Sequence, residues 1–342
     1  MTLNSNPRAP AIFRRVWPAL GPVLLLMACG ADRDPSGAAL PSSEPEPEPQ
    51  TSPFKSLAVA ARDSTMFTEP RAGVPLADGS VAFLATTTTE PERVGLFLQT
   101  AEGPRLLYAG DQLVDARDLD SSLDEQALLA ADPGLLVVNE EGTPQRGALL
   151  KFPLQGGEPE LLAVGYAPVS VTVAEDGTYF SGTDPSSGEP GVFRLRAADP
   201  EAVYTGSPLV DPSGIALLRD GSLLVADTRL FESTPINSEA GVVKIHGGQA
   251  EIFATGFATG YPAGIAVTSD ESTLIVSGEG PDRSDSVYLF SVADPSASPQ
   301  VVTAEFSAVQ NSSAGLKRAR SGNTFVWASG AFQGGTVYKI EG

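Results

Sequence analysis

From about residue 80 to the C-terminus, short apolar runs alternate with turn-forming residues, and the runs recur in a fixed order. One class comprises Ser80–Leu84, Leu135–Val138, Thr178–Ser181, Leu223–Ala226, Leu274–Ser277 and Thr324–Trp327. A second comprises Gly95–Leu98, Ala148–Phe152, Gly191–Leu195, Gly241–Ile245, Ser286–Phe290 and Thr336–Ile340. A third follows in five units only: Arg105–Tyr108, Glu160–Ala163, Ala202–Tyr204, Glu251–Ala254 and Val301–Thr303. Runs of this length, rich in β-branched and aromatic residues and bounded by turn residues, predict strands.

Most runs of the first class follow a turn pair: Asp78-Gly79, Pro133-Gly134, Asp176-Gly177, Asp220-Gly221 or Ser321-Gly322. Glycine supplies the positive φ of tight hairpins. The step from Gly79 to Gly322 averages about 49 residues, the length of one propeller blade. The window Leu123–Ala131 is assigned to the first strand of the second unit. The fold class is therefore all-β, a six-bladed β-propeller over residues 53–342. The sixth unit ends without a fourth strand, and the unassigned run Lys55–Ala60 is expected to supply it. That closes the ring from the N-terminal side and removes a raw edge.

The N-terminal 52 residues follow other rules. Arg8, Arg14 and Arg15 precede an apolar stretch, Val16–Ala28, too short for a bilayer span of roughly 20 residues. Residues 1–28 thus read as a secretory signal. Leu26-Met27-Ala28-Cys29 resembles a bacterial lipobox, which implies cleavage before Cys29 and lipidation of its sulfur. Cys29 is the only cysteine, so no internal disulfide is possible. Residues 29–52, with Ser43-Glu-Pro-Glu-Pro-Glu-Pro-Gln50, lack apolar periodicity and predict a disordered, extended tether. The expected location is the bacterial cell envelope, lipid-anchored in the outer membrane.

Losing the signal lowers the net charge from −20 to −23, because three basic residues and no acidic ones go with it. Phosphate backbones are bound by clustered Lys and Arg, so nucleic acid is not an expected partner.

Pro212-Ser-Gly-Ile-Ala, Asp220-Gly-Ser-Leu-Leu-Val-Ala-Asp227 and Gly241-Val-Val-Lys-Ile245 recur as Pro262-Ala-Gly-Ile-Ala and its successors, and again from Ser313-Ala-Gly-Leu316. This arrangement resembles the NHL-repeat propellers, which are binding scaffolds, and the gluconolactonase/regucalcin propellers, six-bladed sugar-lactone hydrolases with one divalent cation on the axis. The lactonase resemblance implies a Glu, an Asn in Asn-Gly and an Asp in Asp-Gly as ligands. In this chain the matching positions are Glu69, Ser213-Gly214 and Ala263-Gly264, so one ligand is weakened and one is lost. Asp211 is the residue that would compensate, and the cation would be calcium or another divalent ion.

Other chemistries have less support. His246 is the sole histidine, expected to be exposed or hydrogen-bonded, and one histidine excludes a His-rich zinc site. Neither a Gly-x-Ser-x-Gly elbow nor a phosphate-binding Gly-x-x-x-x-Gly-Lys-Ser/Thr loop occurs. Asp118–Asp124 has carboxylates spaced like a calcium loop but Leu123 where glycine is required, and reads as an acidic inter-blade loop. The expected function is a non-catalytic, membrane-anchored scaffold binding a protein, peptide or carbohydrate through the loops around the axis. Its candidate ligand-binding residues are Tyr166, Asp211, Ser213, Tyr261 and Asn311. The alternative is a divergent metal-dependent lactonase or esterase using Glu69 and Asp211.

Overall fold

The computed structural model describes residues 54–342 except 198, 233–237, 281–283, 304–312 and 331–334. Cys29, Asn311 and the tether fall outside the described residues. Six four-stranded antiparallel sheets form a β-propeller, and no helix occurs among the described residues.

Blade one is β2 (Phe67–Pro75), β3 (Val81–Thr87), β4 (Val94–Thr100) and β5 (Gly103–Tyr108); blade two is β6 (Asp118–Ser121), β7 (Ala127–Val138), β8 (Pro144–Pro153) and β9 (Glu160–Val164). Blade three is β10 (Ser170–Ala174), β11 (Gly177–Thr183), β12 (Pro190–Leu195) and β13 (Pro200–Thr205). Blade four is β14 (Pro212–Leu217), β15 (Leu223–Glu232), β16 (Ser238–His246) and β17 (Gln249–Phe257). Blade five is β18 (Ile265–Val267), β19 (Thr273–Glu279), β20 (Asp285–Ser291) and β21 (Gln300–Thr303). The sixth sheet is β22 (Ser313–Arg318), β23 (Thr324–Ser329) and β24 (Thr336–Glu341), with β1 (Ser56–Arg62) as its outer strand. β1 runs antiparallel to β24, from Ser56 opposite Glu341 to Arg62 opposite Thr336.

Burial follows the alternation. Six apolar clusters occupy the six blade-to-blade interfaces, such as Leu96 and Phe152 between blades one and two, or Ile275 and Trp327 between five and six. The Pro-x-Gly motif has a steric cause. A Cβ on Gly264 would lie 2.0 Å from the backbone nitrogen of Leu316, and one on Gly214 would lie 2.3 Å from the carbonyl oxygen of Ala263. Neighbouring inner strands approach so closely here that only glycine fits.

Blade two departs from the sequence expectation. Its first strand is β6, not Leu123–Ala131, and β7 pairs with it through Leu128–Ala131. Leu135–Val138 is the continuation of β7 beyond that pairing, opposite Pro144–Arg146 of β8. The true turn is Ser122–Gln126, where Glu125 holds φ +53°, the conformation Gly79 and Gly221 hold elsewhere. The Asp118–Asp124 segment is therefore an inner strand and its turn, not an acidic loop.

Candidate functional site

Inner strands begin on one face of the ring, here called upper, where outer-to-inner connections and the second-to-third-strand hairpins meet. The local structure of that face rests on two equivalent buried aspartates. Just past the part of β7 that pairs with β6, Asp132 accepts the backbone N–H groups of Val114 (2.7 Å) and Asp115 (3.0 Å), and also those of Gly134 and Leu135. In blade four, Asp227 accepts those of Val210 (2.7 Å) and Asp211 (3.0 Å). Both are fully buried. Burial pushes both carboxyls above the ordinary carboxylate value, and the amide hydrogen bonds oppose it. Each aspartate fixes the connection that precedes its blade and so presents Val114–Asp115 and Val210–Asp211 in matching places. The repeated Ala-Asp within these second strands is the sequence signal that could have identified them.

Charged and aromatic side chains then converge. Asp115 accepts from Arg71 on β2 (3.3 Å) and from Arg117 (2.8 Å), one guanidinium on each oxygen. Arg71 also donates to Thr86 at 3.4 Å. Its pKa is lowered first by burial and then by the like charge of Arg117. The Arg117 guanidinium carbon lies 5.4 Å from the ring centroid of Tyr261, a cation–π distance. The buried Nε of Arg117 has no hydrogen-bond partner among the described residues. The Tyr261 hydroxyl is pushed up to about 12, first by loss of solvent, then by the charge of Asp211, against the pull of Arg117.

The predicted residues fare differently. Tyr261 and Asp211 join this centre, Asp211 also accepting from the Thr228 hydroxyl at 3.0 Å. Ser213 is completely buried and its Oγ accepts the Ala263 N–H at 3.0 Å, which makes it a bond between blades four and five rather than a ligand contact. The ring of Tyr166 packs edge-on against Phe193 at 4.8 Å and Phe180 at 5.7 Å, in the core between blades two and three. Glu69 sits at a bulge of β2 with φ +50° and attracts Arg71. Among the described residues, no three His, Cys, Asp or Glu come together to hold a metal ion. His246 is exposed, its Nδ1 2.9 Å from the Ser222 hydroxyl, as expected. Sequence reasoning missed Arg71, Asp115 and Arg117.

Apolar side chains are exposed on the same face. Val114, Val210 and Tyr261 are exposed on the connections, and Leu136 and Val138 are 66 % and 64 % exposed on the hairpin that β7 and β8 extend above the ring. Guanidiniums stay protonated, so this centre offers hydrogen-bond donors, a carboxylate, an aromatic face and apolar contact area.

No protein-family model and no curated protein sequence matches the chain. Solved structures do. A gluconolactonase from Xanthomonas campestris superposes with a TM-score of 0.56 at 15% identity, covering 83% of this chain and 89% of that one. The PQQ-bound aldose sugar dehydrogenase of Streptomyces coelicolor gives 0.57 at 12% identity, covering 84% and 98%. A chain of a nidogen–laminin complex gives 0.52 at 14% identity, covering 73% and 86%. At such identities the likeness shows that this chain shares their propeller fold, and the fold alone.

Proposed function

We propose that this protein is a non-catalytic binding propeller and that the upper-face centre of Arg71, Asp115, Arg117 and Tyr261 receives a peptide or protein ligand. The observation that carries the reading is a guanidinium–carboxylate–tyrosine cluster on a face that also exposes Val114, Val210, Leu136 and Val138. Arg and Tyr are over-represented at energetically dominant positions of protein interfaces, where the contacts around them exclude water. The same proposal places the propeller in the cell envelope, held by a lipid on Cys29 at the end of an extended tether. A carbohydrate would meet the same polar centre but would leave Leu136 and Val138 unused.

The test is binding to peptide and glycan arrays by the wild type and by an Arg117→Glu/Tyr261→Ala variant whose melting temperature is checked. The reading expects peptide signals that the variant loses. Glycan signals with none for peptides would shift the ligand class, and signals the variant keeps would move the site off this face. Incorporation of labelled palmitate, lost in Cys29→Ala, tests the anchor. The alternative, a metal-dependent lactonase, has the shared fold in its favour and is tested by the metal measurement that closes the Discussion.

A further inference from the structure

The lower face, where inner strands end, carries a cavity that the reading above does not use. Its volume is about 590 Å³ and its walls come from blades two to six. Four cations reach it, Arg219, Lys317, Arg318 and Arg320, in a chain with 42 acidic residues against 22 basic ones. Three carboxylates also line it, those of Asp120, Glu175 and Glu271.

Two of the cations are spent on the protein itself. The Lys317 amine meets the Asp118 carboxylate at 2.7 Å and the Val171 carbonyl at 2.6 Å. Arg320 donates to the Ser121 hydroxyl and carbonyl, the Ser122 carbonyl at 3.0 Å and the Val173 carbonyl at 3.2 Å. Together they tie the sixth blade to blades two and three and form the floor.

Arg318 and Arg219 are different. Arg318 is half-buried, yet its Nη1 donates only to carbonyls of its own turn, Ala319 at 3.0 Å and Gly322 at 2.9 Å, and it forms no ion pair among the described residues. Arg219 is largely exposed, donates to the Ser269 carbonyl and stands 3.9 Å from the Glu271 carboxylate. The same Glu271 oxygen is also held by the Arg219 backbone N–H at 2.6 Å. The two guanidiniums feel each other: burial lowers the Arg318 pKa first and the charge of Arg219 next, while Glu271 pulls the other way. Glu271 attracts Arg318 but is bonded to Arg219, so a further anion reaching the cavity would meet in Arg318 a guanidinium with no ion-pair partner among the described residues.

We propose that this cavity binds a small molecule through an oxyanion, a carboxylate or phosphate held between Arg318 and Arg219, with its apolar part against Leu217 and Val267. Guanidinium forks match both groups in geometry, and the volume lies within the range of small-molecule sites. Asp120 faces Arg320 at 3.8 Å rather than Arg318 or Arg219, and its oxygens also accept the N–H groups of Val173 at 2.8 Å and Ser121 at 2.7 Å.

The experiment is calorimetric titration of the protein with citrate and, separately, with inorganic phosphate, against sodium chloride of equal ionic strength. A saturable heat with either oxyanion and none with chloride is expected, with affinity at least tenfold weaker in Arg318→Gln and in Arg219→Gln. Citrate alone would assign a carboxylate and phosphate alone a phosphate group. Arg117→Gln, on the opposite face, should bind as the wild type does, which separates this site from the upper one. Without anion, Arg318→Gln should melt close to the wild type, because the lost bonds to the carbonyls of its own turn are offset by the removal of a like charge. No saturable heat, equal affinity in both variants, or an Arg318→Gln protein melting well below wild type would overturn the proposal.

Discussion

Lys317 on the innermost strand of blade six ends 2.7 Å from Asp118 on the innermost strand of blade two, and the two side chains are 8% and 5% exposed. The pair spans the ring, because the same amine also bonds the Val171 carbonyl on blade three, across the axis from its own blade. Asp118 in turn accepts the Val171 N–H at 3.0 Å. Removing one partner of a buried pair leaves an uncompensated charge and costs about 3–5 kcal/mol. Lys317→Met should therefore lose about 3 kcal/mol in urea unfolding. Lys317→Met/Asp118→Leu should lose less than the single substitution, and a double mutant that is additive would refute the coupling.

The turns of blades two and five use glutamate where their neighbours use glycine. Glu125 and Glu271 have φ of +53° and +61°, and their carboxylates accept the backbone N–H of the preceding blade's turn, Ala77 at 2.8 Å and Arg219 at 2.6 Å. A staple between blades is gained at the cost of a strained backbone. Glu125→Ala loses the bond and keeps the strain, whereas Glu125→Gly loses the bond and relieves it. The glycine variant should be the more stable by about 1 kcal/mol, the reverse of the usual order outside this conformation. Thermal melting of the two variants checks it.

The pH dependence follows from two opposed groups of carboxylates. Burial raises Asp118, Asp132 and Asp227 above the ordinary value of 3.8. A raised carboxylate takes up a proton on folding, so the penalty it imposes is fully present above its folded pKa and is relieved as pH falls through that value towards 3.8. Turn carboxylates such as Asp270, held at about 2 by hydrogen bonds from Thr268 and Ser272, are the other kind. Their stabilisation is present above 3.8 and is lost as pH falls through about 2. The large negative net charge adds repulsion at neutral pH. Melting temperature should thus rise as pH falls from neutral through the raised folded values towards 3.8, and fall at strongly acid pH. A steady decline from neutral pH down to 3.8 would contradict this.

The outer strand of the sixth sheet comes from the far end of the chain. Beyond its ladder with β24, Lys55 donates to the Glu341 carbonyl at 2.7 Å and Phe54 packs edge-on against Phe325 at 5.9 Å. Deleting 53–61 should lower the melting temperature far more than deleting 30–50, since only the first exposes the edge of β24. Equal melting temperatures would contradict it.

Strand alternation was legible wherever a glycine marked the turn, as at Gly79, Gly177, Gly221 and Gly322. It failed at blade two, where Glu125 replaces that glycine and Pro133-Gly134, part of the hairpin above the ring, supplied a false turn. Blade five, with Glu271 in the same place, has no such competing Gly pair and was read correctly. Tyr261 and Asp211 were legible as loop residues near the axis. Ser213 and Tyr166 stood in equally suitable loops, yet a backbone N–H and two phenylalanine rings claim them, contacts with no local signature. Arg71, Asp115 and Arg117 were missed because their convergence depends on Asp132 fixing a connection some 17 residues before it. Long-range hydrogen bonds of that kind are written in no spacing rule.

The central claim is that the axis is a binding centre of arginines and tyrosine rather than a cation-dependent catalytic site. The most direct test is thermal melting of residues 51–342 in EDTA and in micromolar calcium or manganese, with gluconolactone hydrolysis assayed in parallel. An unchanged melting temperature and no hydrolysis above buffer are predicted. A saturable rise with metal, accompanied by hydrolysis and lost in Glu69→Ala, would contradict the account and establish the lactonase reading in its place.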